Sequence, residues 1–299
     1  MLKSRLIIGL PLVVMLVLAI FWPGEAGAAV FAGLAGAGIF AAFTEYSGMA
    51  ESLGITGPHN ALKYFGLLLL LVIIYSPFAS MDGNAPYPAV LWPGELLILA
   101  VAVMFCFMYV VRADSYAAAL PNATAALAGL VVIYGGLNFI GKLYFSAGLG
   151  QEGRYLVLFV AGATKAGDVG AYGAGMLTAR RAAGNHKIVP RISPKKSWEG
   201  LGGGIIASTL TALIIYAVFG RNLLFCDQQV LGLGSVITLG GLFGLLGFFG
   251  DISVSALKRA ANFDDSGSIP GLGGVLDMVD SLLFVLPVFY AFISARAIF

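Results

Sequence analysis

Long apolar runs separated by short polar stretches dominate this chain. Windows near the length of about 20 residues that crosses a bilayer fall at 5–22, 28–44, 63–80, 91–111, 124–146, 155–178, 202–219, 231–249 and 276–296. The pattern predicts an all-α, polytopic integral membrane protein with about nine transmembrane helices. The runs are too long for strands, and none alternates as the strands of a membrane barrel do. Glycine and alanine recur inside the spans, as in AGLAGAG and GLGGG, which suits helices that pack closely in lipid. About five spans occupy residues 1–150, and about four, with the polar loops, occupy 151–299. Lys3 and Arg5 before the run from Leu6 to Trp22 resemble a signal peptide. The length of that run and the spans that follow it instead favour a first membrane helix.

Composition sharpens this picture. At 59% hydrophobic and 11% charged over 299 residues, the chain is too apolar for a soluble domain of its length. A net charge of +2 lacks the concentrated basic surface that nucleic acid requires. Cys106 and Cys226 are far apart and show no metal spacing, so neither a disulfide nor a zinc site is indicated. Nine spans put the termini on opposite sides. With the N-terminus inside, Lys142, Arg154, Arg221 and Arg296 lie outside, Lys165 lies within a span, and every other Lys and Arg is cytoplasmic. The positive-inside rule favours that orientation, which brings the loop from Arg180 to Glu199 and the acidic segment from Asp251 to the cytoplasmic face.

Three polar constellations carry candidate chemistry. In GATKAGDVGAYGAG, Lys165 and Asp168 are three apart in the sixth span and share a helical face, as a buried structural ion pair or as part of a site. In ISPKKSWEGLGGG, Lys195 and Lys196 can hold phosphates and Glu199 can orient a lysine or a ribose hydroxyl. The alternative is a basic cytoplasmic loop anchored by an interfacial Trp198. Between Gly250 and Ser281 lie five of the fifteen acids: Asp251, Asp264, Asp265, Asp277 and Asp280, beside Lys258 and Arg259. Asp277 and Asp280 are three apart at the start of the last span. With Asp251 at the end of the preceding one, they would give the hard oxygen site that Mg²⁺ shares with substrate phosphates. Lys258 and Arg259 would neutralise phosphate charge, and the glycines around Pro270, including Gly273 and Gly274, would cradle phosphate oxygens. A solvated loop with ordinary Asp caps is the bland alternative.

The run SALKRAANFDDSGSIPGLGGVLDMVDS resembles the signature of the phosphatidate cytidylyltransferases, and DVGAY followed by SPKKSWEG matches two further segments of that family in order. The resemblance covers about residues 155–285 and implies an integral, multi-pass enzyme of a bacterial-type inner or plasma membrane with its active site facing the cytoplasm. Such an enzyme transfers CMP from CTP to phosphatidic acid with Mg²⁺, giving CDP-diacylglycerol and pyrophosphate for phospholipid biosynthesis. The resemblance implies that Asp251, Asp277 and Asp280 are metal and catalytic residues, with Lys258 and Arg259 also catalytic. Substrate-binding roles are implied for Asp168, Tyr172, Ser193, Lys195, Lys196, Glu199, Ser255, Asp265, Gly273 and Gly274. A homodimer surrounded by membrane lipids is the implied assembly. In line with the chemistry of phosphoryl groups, the phosphatidate oxygen would attack the α-phosphorus while cations stabilise the charge moving onto pyrophosphate.

Three positions depart from the family pattern: Asp264 stands for Lys, Leu272 for His and Met278 for Arg. Each removes a cation or potential cation, so a CTP-dependent enzyme for another lipid phosphate, or an inactive member, is the alternative expectation. A transporter built around Lys165 and Asp168 would place charge along several spans, whereas the remaining span interiors are almost free of it.

Overall fold

A computed structural model of the chain describes residues 15, 17–22, 24–79, 93–145, 153–180, 184–225, 228–267 and 273–298. The first long helices are α1 (Gly24–Ser52), α2 (His59–Ala79) and α3 (Pro93–Val111). There follow α4 (Tyr116–Gly129), a π-helical turn (Leu130–Tyr134), α5 (Gly135–Leu137) and α6 (Phe139–Tyr144). The C-terminal half comprises α7 (Gly153–Ala179), α8 (Trp198–Phe219), α9 (Leu233–Ala260), α10 (Val275–Val279) and α11 (Leu282–Ile298). The only paired strands among the described residues, Leu224–Phe225 and Gln228–Gln229, form a short antiparallel hairpin between α8 and α9.

Six segments among the described residues are long and apolar enough to cross a membrane: Gly24–Ser52, Gly94–Val111, Tyr116–Tyr144, Trp198–Asn222, Leu233–Ala260 and Val275–Ala297. The protein is therefore an all-α, multi-pass membrane protein. Helix α7 is also long, at 27 residues, but carries Lys165 and Asp168 near its middle and is rich in glycine. The predicted span at 5–22 lies largely outside the described residues, as do Leu272 and Cys226.

Glycine lets the three helices α7, α8 and α9 approach to backbone contact. A Cβ on Gly204 would lie 3.1 Å from the Gly167 carbonyl oxygen, and one on Gly244 would lie 2.7 Å from Ile205 Cα. In lipid, where no hydrophobic effect drives helices together, such close packing supplies the cohesion. Elsewhere on α7, α9 and α11, Phe159, Phe243 and Phe289 are fully buried, and their ring centroids are 5.4–5.8 Å apart. This aromatic cluster ties α7, α9 and α11 together. Elsewhere Lys142 pairs with Glu95 at 2.6 Å, both side chains being under 5% exposed. An unpaired charge at that depth costs about 3 kcal/mol or more.

One expected boundary is corrected. Helix α9 does not end near 249 but continues to Ala260, because SVSALKRA after the apolar window contains good helix formers, so Asp251 sits inside a helix. The last span, expected at 276–296, covers Val275–Ala297, with a turn at Asp280 and Ser281 between α10 and α11.

Candidate active site

A cavity of about 230 Å³ opens where α7, the loop before α8, and α9 meet. Asp168 and Tyr172 line it from α7, Ser193, Lys195, Lys196 and Ser197 from the loop, and Asp251 from α9. Three segments separated by scores of residues are thus brought to one wall, as their chemistry requires. Gly200 and Gly244 form part of the lining, so the same small residues that let the helices approach also shape the cavity.

The loop is held by local bonds. Ser197 caps α8, its Oγ accepting from the Gly200 N–H at 3.1 Å. Ile188 N–H donates to the Lys196 carbonyl, and Trp198 N–H donates to that of His186. Glu199 accepts from the His186 N–H at 3.1 Å and lies 2.7 Å from His186 Nδ1. Glu199 therefore closes the base of the loop, where the sequence suggested a partner for lysine or ribose.

Lys196 is the cation that the cavity encloses. Its Nζ pairs with Asp251 Oδ2 at 2.8 Å and lies 4.9 Å from the centre of the Phe248 ring. Burial pulls its ammonium below the ordinary lysine range, while Asp251 first, then Asp280 and Asp168, pull it back up. Ser255 Oγ donates to Asp251 Oδ1 at 3.3 Å, one turn along α9. Behind the cavity, Lys165 Nζ reaches Asp168 Oδ2 at 2.9 Å, Ser281 Oγ at 2.6 Å and Asp280 Oδ1 at 4.0 Å. Ser281 Oγ also lies 2.9 Å from Asp168 Oδ2, and its N–H donates to Asp280 Oδ1 at 2.6 Å. The Lys165–Asp168 pair is thus part of a network that joins α7 to the break in the last span. Gly250 lies against the Asp280 carbonyl, where a side chain has no room, and this sets α9 beside that break.

Asp277 stands apart from this cluster. Its Oδ1 takes Lys258 Nζ at 2.6 Å, and its Oδ2 accepts from the N–H groups of Ser266 at 2.8 Å and Gly274 at 3.2 Å. Among the described residues, no group of three or more His, Cys, Asp and Glu side chains could hold a metal ion. The expected Asp251–Asp277–Asp280 triad is therefore not assembled. The two carboxylates of the last span take different partners, Asp277 engaging Lys258 and the loop, Asp280 the Ser281 N–H and Lys165. Gly273, at φ +83°, has Asp277 Oδ2 and Asp265 Oδ1 close to the place a Cβ would occupy, so this turn admits only glycine. Arg259 faces solvent and pairs with the exposed Asp264 at 2.5 Å, outside the cavity.

Glu45, Lys165, His186, Ser266 and Ser281 belong to these networks without having been singled out as site residues by sequence, although Lys165 was marked as a pair with Asp168. Glu45 reaches from α1 to the start of α10: its carboxylate accepts from the N–H groups of Val275 and Leu276 and from Ser266 Oγ, each at 2.8 Å. In the sequence it stands directly after the apolar window at 28–44.

Fold and site together define a polytopic helical membrane protein whose acids and lysines converge on a cavity between two helices and a basic loop. The sequence profile of the Cytidylyltransferase family matches residues 3–295, and the chain belongs to that family. It is 39% identical over 144 residues to the uncharacterized protein YnbB of Escherichia coli K12, covering 48% of this chain and 44% of that protein. It is 32% identical over 235 residues to a phosphatidate cytidylyltransferase of Haemophilus influenzae, covering 78% and 66%. It is 28% identical over 255 residues to one of Chlamydia pneumoniae, covering 83% and 77%. The chain thus spans 44% and 66% of the length of the first two of these relatives.

Proposed function

We propose that the chain transfers CMP from CTP to phosphatidic acid, giving CDP-diacylglycerol and pyrophosphate, as the Haemophilus influenzae and Chlamydia pneumoniae relatives are named for doing. The observation that carries this reading is the single cavity lined by Asp168, Lys195, Lys196 and Asp251 from three separate segments. At about 230 Å³ it is smaller than pockets that enclose a drug-sized ligand, about 300–1,000 Å³, so it suits a polyphosphate rather than a whole nucleotide with its lipid acceptor. Lys195 and Lys196 would bind phosphate oxygens, and Lys258, held by Asp277, would meet charge at the neighbouring loop. Asp168, Ser281 and Lys165 would keep Asp280 oriented.

Mg²⁺ is part of this proposal. The ion commonly takes one or two protein carboxylates and completes its shell with water and substrate phosphates, which suits the acid-only donors Asp251 and Asp280. When bound, it would neutralise charge developing on the phosphates. About nine spans with the N-terminus inside, the cavity facing the cytoplasm and a homodimer complete the reading. The Lys/Arg distribution supports the orientation, and glycines with open space beside them on α1, such as Gly33 and Gly38, suit helix association.

The test is incorporation of labelled CTP into lipid by the purified chain in nanodiscs with phosphatidic acid, with and without Mg²⁺, beside Asp251→Asn. Metal-dependent CDP-diacylglycerol matched by pyrophosphate, and its loss in the variant, is expected; no product from folded protein refutes the reading. A second reading, another lipid phosphate as acceptor, is favoured by the Arg259–Asp264 pair, which occupies a cation that the family pattern leaves beside a lysine. A panel of lipid phosphates in the same assay separates the two.

A further inference from the structure

Glu45 presents a physical problem that its neighbourhood answers. It lies in α1, a helix that crosses the membrane, and no Lys or Arg among the described residues forms an ion pair with it. Its charge is met instead by two backbone N–H groups at the start of α10 and by the Ser266 hydroxyl. Space for it is reserved as well: a Cβ on Gly267 would lie 2.5 Å from Glu45 Oε1, and one on Gly274 would collide with Oε2. An apolar residue at position 45 would fill such a helix with less desolvation, so the carboxylate and its two glycines answer to something besides packing.

The bonds continue past Ser266. Its N–H donates to Asp277 Oδ2 at 2.8 Å, and its Oγ accepts from the Asp277 N–H at 3.3 Å. Asp277 in turn holds the ammonium of Lys258 at 2.6 Å, both side chains being close to nine-tenths buried. Glu45, Ser266 and Asp277 thus form a closed ring of bonds that ends on a buried cation, and the ring draws on α1, α9 and α10.

We infer that Glu45 is a positioning residue, supplied by the N-terminal half of the chain, that fixes Ser266 and the start of α10 so that Asp277 holds Lys258 in place for an anionic substrate. The role rests on the proposed cytidylyl transfer only for the identity of that anion. Glutamine at this position keeps the shape but turns an amide NH₂ towards N–H donors and removes the charge that strengthens all three bonds.

The experiment uses the full chain in nanodiscs with Glu45→Gln and Glu45→Asp. Amide hydrogen exchange of the 273–277 segment is read beside KM for CTP, kcat and thermal stability. Loss of charge-assisted bonds at Val275 and Leu276 is expected to speed exchange there by about tenfold to a hundredfold. KM for CTP is expected to rise by about tenfold with a smaller change in kcat, and Glu45→Asp to recover part of both. Unchanged exchange at these amides overturns the inference. Faster exchange with an unchanged KM also overturns it, since that is the signature of a structural role alone. If the wild-type chain shows no turnover, the cytidylyltransferase reading fails. Affinity for inorganic pyrophosphate then replaces KM and is expected to fall in Glu45→Gln; an unchanged affinity would refute the role.

Discussion

Gly244→Ala tests whether the cavity depends on backbone contact between α8 and α9. The new Cβ would lie 2.7 Å from Ile205 Cα and 3.0 Å from both the Gly204 oxygen and the Ile205 nitrogen. Carbon atoms settle at about 3.5–4.0 Å, so the two helices must part by about 1 Å. No flexible side chain can absorb that shift, because the nearest atoms are backbone. Overpacking of this kind costs about 1–3 kcal/mol, against a helix-propensity gain of up to about 1 kcal/mol for alanine over glycine, so net destabilisation is expected. Gly244 lines the cavity beside Asp251 and Lys196, and a displacement of about 1 Å at reacting groups can lower turnover by about a hundredfold. The matched control is Gly173→Ala, one residue beyond the cavity-lining Tyr172, where a Cβ meets nothing within 4 Å. That variant should melt at or slightly above the wild-type temperature and keep its activity. Melting curves in nanodiscs and CTP incorporation together decide the matter. If Gly244→Ala melts and turns over like Gly173→Ala, the close approach does not shape the site.

The buried Lys142–Glu95 pair predicts that Lys142→Met costs about 3–5 kcal/mol by removing the ammonium from a buried carboxylate, and that Lys142→Met with Glu95→Leu recovers most of it, both read from thermal melts. Lys196 sets a pH dependence. Burial places its folded-state pKa below that of the unfolded chain, so the unfolded state binds more protons in between, and stability rises with pH across that window up to the ordinary lysine value of about 10.4. Melting temperature followed through that window should lose this rise in Lys196→Met. Asp264→Lys breaks an exposed pair worth about 0–1 kcal/mol and frees Arg259. Stability should hardly change while turnover on lipid phosphate rises, and unchanged turnover would remove Arg259 from substrate handling.

Among the described residues, the apolar windows from 28–44 onward all fall on helices, because lipid forces backbone bonds to close within each span. Their ends were less legible. Helix α9 runs on to Ala260 through Lys258 and Arg259, since leaving the apolar region does not end a helix whose residues favour one. The motif residues Asp168, Ser193, Lys196 and Asp251 line one cavity. The spacing of Asp277 and Asp280 does not record the partners each one takes: Lys258 and two loop N–H groups for Asp277, Lys165 and the Ser281 N–H for Asp280. Glu45 was invisible for another reason: its partners are backbone N–H groups and a serine more than 200 positions away, and neither composition nor periodicity records such a pairing.

The charges around the cavity carry the argument one step further. Asp168 and Asp251 line the cavity with Lys195 and Lys196, while Asp280 and Lys165 lie behind it, so the acids already balance the lysines in a site proposed to receive a polyanion. Lys196 is already engaged by Asp251, so incoming phosphate must either break that pair or bring positive charge with it. At about 5 Å and an effective dielectric of about 20, one aspartate opposes one phosphate charge by about 3 kcal/mol, about a hundredfold in affinity. The proposed Mg²⁺ would reverse that sign. In EDTA, Asp251→Asn should therefore bind CTP more tightly than the wild-type chain, since it loses a repelling charge and releases Lys196. With Mg²⁺ present the order should invert, because the variant has given up a donor to the ion. Titration calorimetry of both proteins under both conditions measures the crossing. Equal affinities in EDTA would show that Asp251 does not oppose the substrate.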